Sequence, residues 1–344
     1  MDKRVVFAVA GAGKTSLIIN SVTEDSRCLI ITYTDNNTDQ LVRRIIKKLG
    51  CIPKGVRVYS YFSFLYAFCY RPILGYDLKT KGINFDYPLP KYAQFSKMNK
   101  REHYIDKNGR VFSNRISKLL IKSKAINKVL ERIEKFFDSV YIDEIQDLSG
   151  NDFNFACELA KLNVNVCLVG DFYQHTFKTS IDLNVQKSLH DSFEAYSRQL
   201  IKAGYTIDLV TLSNSYRCPP AVCSFVEDNL GINIGSNKSS EVEVRLIDRP
   251  DEIDAIYADN SIVKLFYQKS NKYTGNTDNW GNTKGIDHHI DVCAVLNPTT
   301  YKAFKQGRLA SLAATTRNKL YVACTRANGN LYFVDEKFLS QYKK

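Results

Sequence analysis

No apolar run in this sequence approaches the roughly 18 residues that a membrane-spanning helix needs. The opening residues Met1–Arg4 lead into a short apolar stretch and a glycine turn, a pattern unlike a signal peptide. A cytoplasmic location is therefore expected, with no membrane partner. Cys-x-x-Cys pairs are missing, and the nine cysteines are scattered singly from Cys28 to Cys324. The nearest two, Cys218 and Cys223, lack the further ligands of a zinc site, so reduced thiols mostly in cores are expected. Internal repeats and low-complexity tracts are also absent. Acidic residues are few: 36 Asp and Glu stand against 48 Lys and Arg, a net charge of +12. That surplus favours a polyanionic partner, although Lys-rich composition alone also makes chains basic.

What remains is a globular chain of 344 residues, 44% hydrophobic, long enough for two compact domains. Apolar runs at Val5–Ala10, Cys28–Tyr33, Val56–Tyr59, Ser139–Ile142 and Val164–Val169 read as buried parallel strands. Between them, Leu41, Val42, Ile45, Ile46 and Leu49 have helical spacing, and Gly50 stops the helix. Alternating strand and helix predicts an α/β fold with parallel sheets. From about Tyr66 to Lys135 the rhythm breaks into a Pro- and Tyr-rich stretch followed by a long basic helix, read as an insertion. A second series starts near Leu212, with strands expected at Val242–Leu246, Ile262–Tyr267, Ile290–Leu296 and Asn330–Val334.

Two segments carry chemistry. Ala8–Thr15 (Ala-Val-Ala-Gly-Ala-Gly-Lys-Thr) lies between a strand and a helix, the context of a phosphate loop. Ala10, Gly11, Ala12, Gly13 and Ser16 would wrap a phosphate chain, Lys14 would reach the β- and γ-phosphates, and Thr15 would take a Mg2+ position. Val140–Asp147 then ends an apolar strand in Asp143 and Glu144. One carboxylate, Asp143, suits the metal; the other, Glu144, suits the attacking water as general base, which means hydrolysis.

The order of further motifs resembles the UvrD/Rep class of superfamily 1 DNA helicases over nearly the whole chain. Asp143-Glu-Ile-Gln-Asp147 resembles that family's DExQD box. Leu168–Gln174 resembles its third motif and implies that Gln174 senses the γ-phosphate. Asn214–Arg217 resembles the fourth, implying Tyr216 against the base and Arg217 on the γ-phosphate. Lys284-Gly-Ile-Asp287 resembles the fifth, with Gly285 and Asp287 at the nucleotide, Asp287 near the ribose; Leu320–Ala327 resembles the sixth, with Arg326 as an arginine finger. Thr32–Asn36 and Ser60–Ser63 resemble the DNA-contacting motifs, implying Tyr33, Thr34, Ser60 and Phe62 in a single-strand groove, with Phe177 at a base-stacking position. Together with the phosphate loop these imply two RecA-like domains, the first over 1–65 and 136–211 with a small helical, basic insertion at 66–135, the second over 212–344. The cofactors implied are ATP and Mg2+, held where an arginine of one domain meets the phosphates of the other on closure.

Departures accompany the likeness. No glutamine-bearing segment precedes the first strand, Thr179 stands where a second stacking tryptophan is expected, and Asn279 and Gly281 replace the usual Thr and His of the fifth motif. About 60 residues separate the fourth and fifth motifs, too few for the large inserted subdomain of full-sized relatives. The resemblance implies an ATP-driven translocase or helicase on single-stranded nucleic acid, DNA favoured over RNA, moving 3′ to 5′. Two rival readings stand beside it: a nucleic-acid-stimulated ATPase switch or loader without unwinding, and an RNA helicase of the viral superfamily 1 type. Protein partners, where present, would belong to a replication, repair or phage complex, in the host cytoplasm for a phage- or virus-encoded chain.

Overall fold

The computed structural model describes residues 1–176, 185–186, 188–286 and 288–344. It divides into two compact units: Met1–Val6, Thr15–Gly170 and Lys178–Asp208 form one, and Phe7–Lys14, Asp171–Phe177 and Leu209–Lys344 the other.

In the first unit β1 (Lys3–Phe7) leads through a loop to α1 (Lys14–Asn20), β2 (Cys28–Thr32), α2 (Asp35–Leu49) and β3 (Arg57–Ser60). Every residue of β2 is buried, as expected of a strand covered on both faces by helices. The Thr34 hydroxyl caps α2 by accepting from the Asn37 N–H at 3.2 Å, and Gly50 ends it in the left-handed region at φ 79°. The inserted segment opens with π-helical backbone over Phe64–Gly75 and holds a small parallel pair, β4 (Gly82–Asn84) and β5 (Arg110–Phe112). The long basic helix read from the sequence is two helices, Ile116–Lys122 and Ile126–Phe136. Between them Lys124 takes φ 59°, and the Ser123 hydroxyl donates back to the Leu119 carbonyl at 2.7 Å, competing with helical bonding. The chain continues with β6 (Ser139–Ile142), β7 (Asn165–Gly170) and β8 (Thr206–Asp208), giving a six-stranded sheet ordered β3-β2-β6-β7-β1-β8. β2 runs parallel to β3 and β6, β6 to β7, and β1 to β8.

The second unit holds a short parallel pair, β9 (Asn214–Ser215) and β10 (Gly235–Ser236), and a five-stranded sheet. Its strands are β11 (Val244–Leu246), β12 (Val263–Phe266), β13 (Thr277–Asn279), β14 (Val292–Leu296) and β15 (Leu331–Asp335), ordered β11-β15-β14-β12-β13 with parallel pairings throughout. Leu265, Ala294 and Phe333 pack with Val226 and Trp280 in its core, where the Trp280 indole N–H donates to the Leu265 carbonyl at 2.7 Å. The chain is thus a mixed α/β protein with parallel sheets. The edge strands β8 and β13 escape a reading of apolar runs because they are three residues long and mostly polar.

Candidate functional site

The first strand stops at Phe7, short of the sequence expectation, because Val9 and Ala10 spend their backbone groups elsewhere. The Val9 N–H donates to the Leu212 carbonyl at 3.0 Å, and the Val9 carbonyl accepts from Ala12 in a tight turn. Gly11 and Gly13 follow at φ 72° and 89°, which side chains with a Cβ rarely adopt. Gly11 also lies against the fourth motif: a Cβ there would fall 2.6 Å from the Arg217 Cβ and 2.8 Å from the Ser215 hydroxyl. The Tyr216 N–H donates to the Gly11 carbonyl at 3.0 Å. Ala10 and Ala12 are buried, and Lys14 opens α1.

Within the first unit the metal-site expectation has a geometric counterpart. The Thr15 hydroxyl donates to the Asp143 carboxylate at 3.3 Å, joining residues 128 apart in sequence. A hydroxyl and a carboxylate oxygen this close fit the oxygen ligands that a hard cation such as Mg2+ takes. Ser16, the neighbour of Thr15, accepts from the Arg44 guanidinium of α2 at 2.8 Å. Glu144 follows with φ 59° and ψ 43°, a left-handed conformation that is strained for a residue with a side chain and that Lys79, Lys124, Gln186 and Lys269 also adopt among the described residues. Its N–H donates to the Asp143 carboxylate at 2.9 Å, and its own carboxylate accepts from the Gln146 amide.

Two residues that the sequence reading missed hold this turn in place. The Tyr196 hydroxyl donates to the Ile145 carbonyl at 3.1 Å, and the His190 Nε2–H donates to the Gln146 carbonyl at 2.9 Å. Burial lowers the His190 imidazole from its ordinary value to about 4, so the ring is neutral at pH 7. Nothing in the local sequence marks either residue, since each acts from more than 40 positions away.

A third missed residue is Tyr321, inside the sixth motif. Its buried hydroxyl accepts from the Ala10 N–H at 2.8 Å and donates to the Asp171 carboxylate at 2.9 Å. Asp171 also caps the turn Phe172–Gln174 by accepting from the Tyr173 N–H, and Gln174 is buried at the end of that turn. One phenol therefore ties together the phosphate loop, the third motif and the sixth. Low surrounding polarity and the Asp171 charge push its ionisation well above the ordinary tyrosine range.

The two arginines differ. Arg217 is half-buried and donates from Nη1 to the Thr325 carbonyl at 3.2 Å. Arg326 is 1% exposed and grips backbone: Nε donates to the Val322 carbonyl, and Nη1 donates to the carbonyls of Thr283 and Ile286 at 3.1 and 3.0 Å. Those last two bracket Gly285, which stands exposed in the left-handed region at φ 82°. Tyr216 is 68% exposed, unlike most aromatics of its unit. Asn279, one of the departures in the fifth motif, has a local task, its side-chain oxygen accepting from the Ser270 N–H at 3.0 Å. Asp287, Phe177 and Thr179 lie outside the described residues.

On the first unit Tyr33 and Phe62 are half-buried and meet edge-on, with ring centroids 6.3 Å apart. Tyr33 also stacks on the buried Tyr61 at 6.5 Å. Thr34 is exposed but capping α2, whereas Ser60 is buried and donates to the Ser63 hydroxyl. Among the described residues no cluster of His, Cys, Asp and Glu suited to a metal occurs, and no helix is long and apolar enough to cross a membrane.

Comparison with known proteins bears on this arrangement. Residues 90–178 match the family described as the UvrD/REP helicase N-terminal domain, a stretch that includes Asp143, Glu144 and Gln174. No curated protein matches the sequence. Among solved structures, the arterivirus nonstructural protein 10 helicase shares the fold at a TM-score of 0.50 and 14% identity, over 99% of this chain and 62% of that one. The PRRSV helicase aligns at 0.48 and 13% identity, over 98% of this chain and 53% of the other. A complex of arterivirus nonstructural protein 10 with DNA aligns at 0.48 and 14% identity, over 97% of this chain and 61% of that one. The chain thus spans between about half and three-fifths of the length of these structures. Residues 90–178 are thus similar in sequence to the UvrD/REP helicase N-terminal domain, and the chain is similar in fold to the arterivirus nonstructural protein 10 helicase.

Proposed function

We propose that the chain hydrolyses ATP, with Mg2+, to move along single-stranded nucleic acid, DNA before RNA, in the 3′ to 5′ direction. The observation that carries this reading is the Thr15–Asp143 contact of 3.3 Å followed directly by the strained Glu144. Thr15 and Asp143 would hold Mg2+ between them, and the bound ion would draw charge from the phosphate oxygens. The loop N–H groups of 11–13 and the Lys14 ammonium would hold the phosphates. Glu144 would accept the proton of the attacking water, with its backbone fixed by Tyr196 and His190 acting on the next two residues. Gln174, Arg217 and Arg326 would answer the charge that develops on the γ-phosphate, while Tyr216 would stack on the base, Gly285 would lie at the nucleotide and Asp287 near the ribose. Arg326 also has a second duty, holding the Thr283–Ile286 turn through Nη1. Tyr33, Thr34, Ser60, Phe62 and Phe177 would line the strand.

We take the chain as a first RecA-like domain over 1–65 and 136–211, an insertion over 66–135, and a second RecA-like domain over 212–344. The test is ATPase activity with and without single-stranded DNA, duplex DNA and RNA, together with streptavidin displacement from either end of a biotinylated strand. Stimulation by single-stranded DNA with faster displacement from the 5′ end is expected. Stimulation without displacement at either end would replace the motor with a switch or loader, and stimulation by RNA alone would make the chain an RNA enzyme.

A further inference from the structure

The inserted segment carries an aromatic ring that is held out in solvent by a purpose-built turn. Phe85 is 61% exposed, and its ring meets the edge of Phe62 at 5.6 Å and 88°. Phe62 in turn meets Tyr33 at 6.3 Å. Three rings thus continue one another from the end of β2, past β3, onto the insertion just after β4.

The backbone that carries Phe85 is fixed by polar contacts of the residues on each side of it. The Asn84 side chain is buried; its amide donates to the Asp106 carboxylate at 2.7 Å, and its carbonyl oxygen accepts from the Asp86 N–H at 2.6 Å. Asp106 is held by the Arg110 guanidinium at 2.8 Å, and Arg110 also reaches the Asp86 carboxylate at 3.6 Å. This network fixes the backbone from which the ring projects, and the same segment also exposes Tyr76, Tyr87, Phe95 and Met98; exposed apolar side chains gathered on one segment mark a contact surface. Charge indicates what covers it. Residues 76–107 carry seven Lys and Arg against four Asp and Glu, on a chain of net charge +12. An exposed ring on a segment of net positive charge suits unpaired bases on a phosphate backbone.

We propose that Phe85 is a base-stacking residue for single-stranded nucleic acid, extending the Tyr33–Phe62 pair onto the inserted segment. The proposal rests on the nucleic-acid reading given above. Binding of fluorescein-labelled oligo(dT) and oligo(rU) to the whole chain, followed by anisotropy, tests it. Phe85→Ala should weaken binding by about 5- to 150-fold, the loss of one stacked base. Phe85→Trp should restore it, and the slope of affinity against salt should stay the same, because no phosphate contact is lost. Basal ATPase without nucleic acid should be unchanged in both variants. Phe85→Ala binding both oligonucleotides as tightly as the parent protein would overturn the proposal and leave the nucleic-acid reading standing. A parent protein that binds neither oligonucleotide would overturn both.

Discussion

Replacing Tyr321 with Phe removes one oxygen atom from the centre of the second unit and leaves the ring, with its edge contact to Tyr173 at 6.0 Å, in place. Two bonds go with that oxygen. The Asp171 carboxylate loses a donor, and hydrogen bonds to charged groups are worth about 1.5–3 kcal/mol. The Ala10 N–H loses its acceptor inside a fully buried region, where an unmet donor costs about 1–3 kcal/mol. Asp171 retains the Tyr173 N–H, so the two losses do not add in full, and about 2–4 kcal/mol is the expected sum. For domains of roughly 150–250 residues each kcal/mol moves Tm by about 2–4 °C, so calorimetry should show a fall of roughly 5–15 °C in the transition of this unit. A second effect should appear in the ATPase assay as a raised KM for ATP, because the loop residue before Gly11 loses its anchor. A Tm within a degree of the parent, with an unchanged KM, would refute the claim that this phenol fastens the phosphate loop.

Other perturbations follow from the same geometry. Glu144→Gln should keep ATP binding, measured with a fluorescent nucleotide, and lose turnover; hydrolysis at the parent rate would remove Glu144 as the base. Arg326→Ala should lower kcat by about 10³-fold and, because three backbone carbonyls lose their donor, also lower Tm; a stable variant with full activity would dismiss both duties. His190 makes stability depend on pH. Its folded pKa of about 4 lies below the ordinary 6.5, so the unfolded chain takes up the proton first as the solution is acidified. The His190 contribution is therefore complete above pH 6.5 and drains as pH falls towards 4, by about 2–3 kcal/mol. His190→Gln, which keeps an N–H donor, should flatten that part of a urea-midpoint-against-pH curve, and an unchanged slope would show that other groups carry it.

Much of this protein is written locally. Consecutive apolar residues make β2, β7 and β14 buried strands, and Thr34 and Gly50 fix the ends of α2 through their own backbone and side-chain chemistry. The glycines at 11 and 13, the Lys-Thr pair after them and the paired acids at 143 and 144 likewise announce a phosphate site, since their use depends on residue type and short spacing. What the sequence leaves open are choices among partners. A tyrosine hydroxyl satisfies any donor or acceptor it meets, and only packing brings the Tyr321 hydroxyl to Ala10, 311 positions away, and to Asp171, 150 away. The same holds for Arg326, whose guanidinium the fold commits to the carbonyls of the Thr283–Ile286 turn, and for the loop that carries Phe85, which the meeting of Asn84, Asp106 and Arg110 fixes. Periodicity also runs on across the break at Ser123–Ala125, because apolar spacing records which face is buried and not where the backbone turns left-handed. Short-range chemistry thus determined the elements and the nucleotide motif, while tertiary packing decided which polar groups hold that motif and which rings are left facing water.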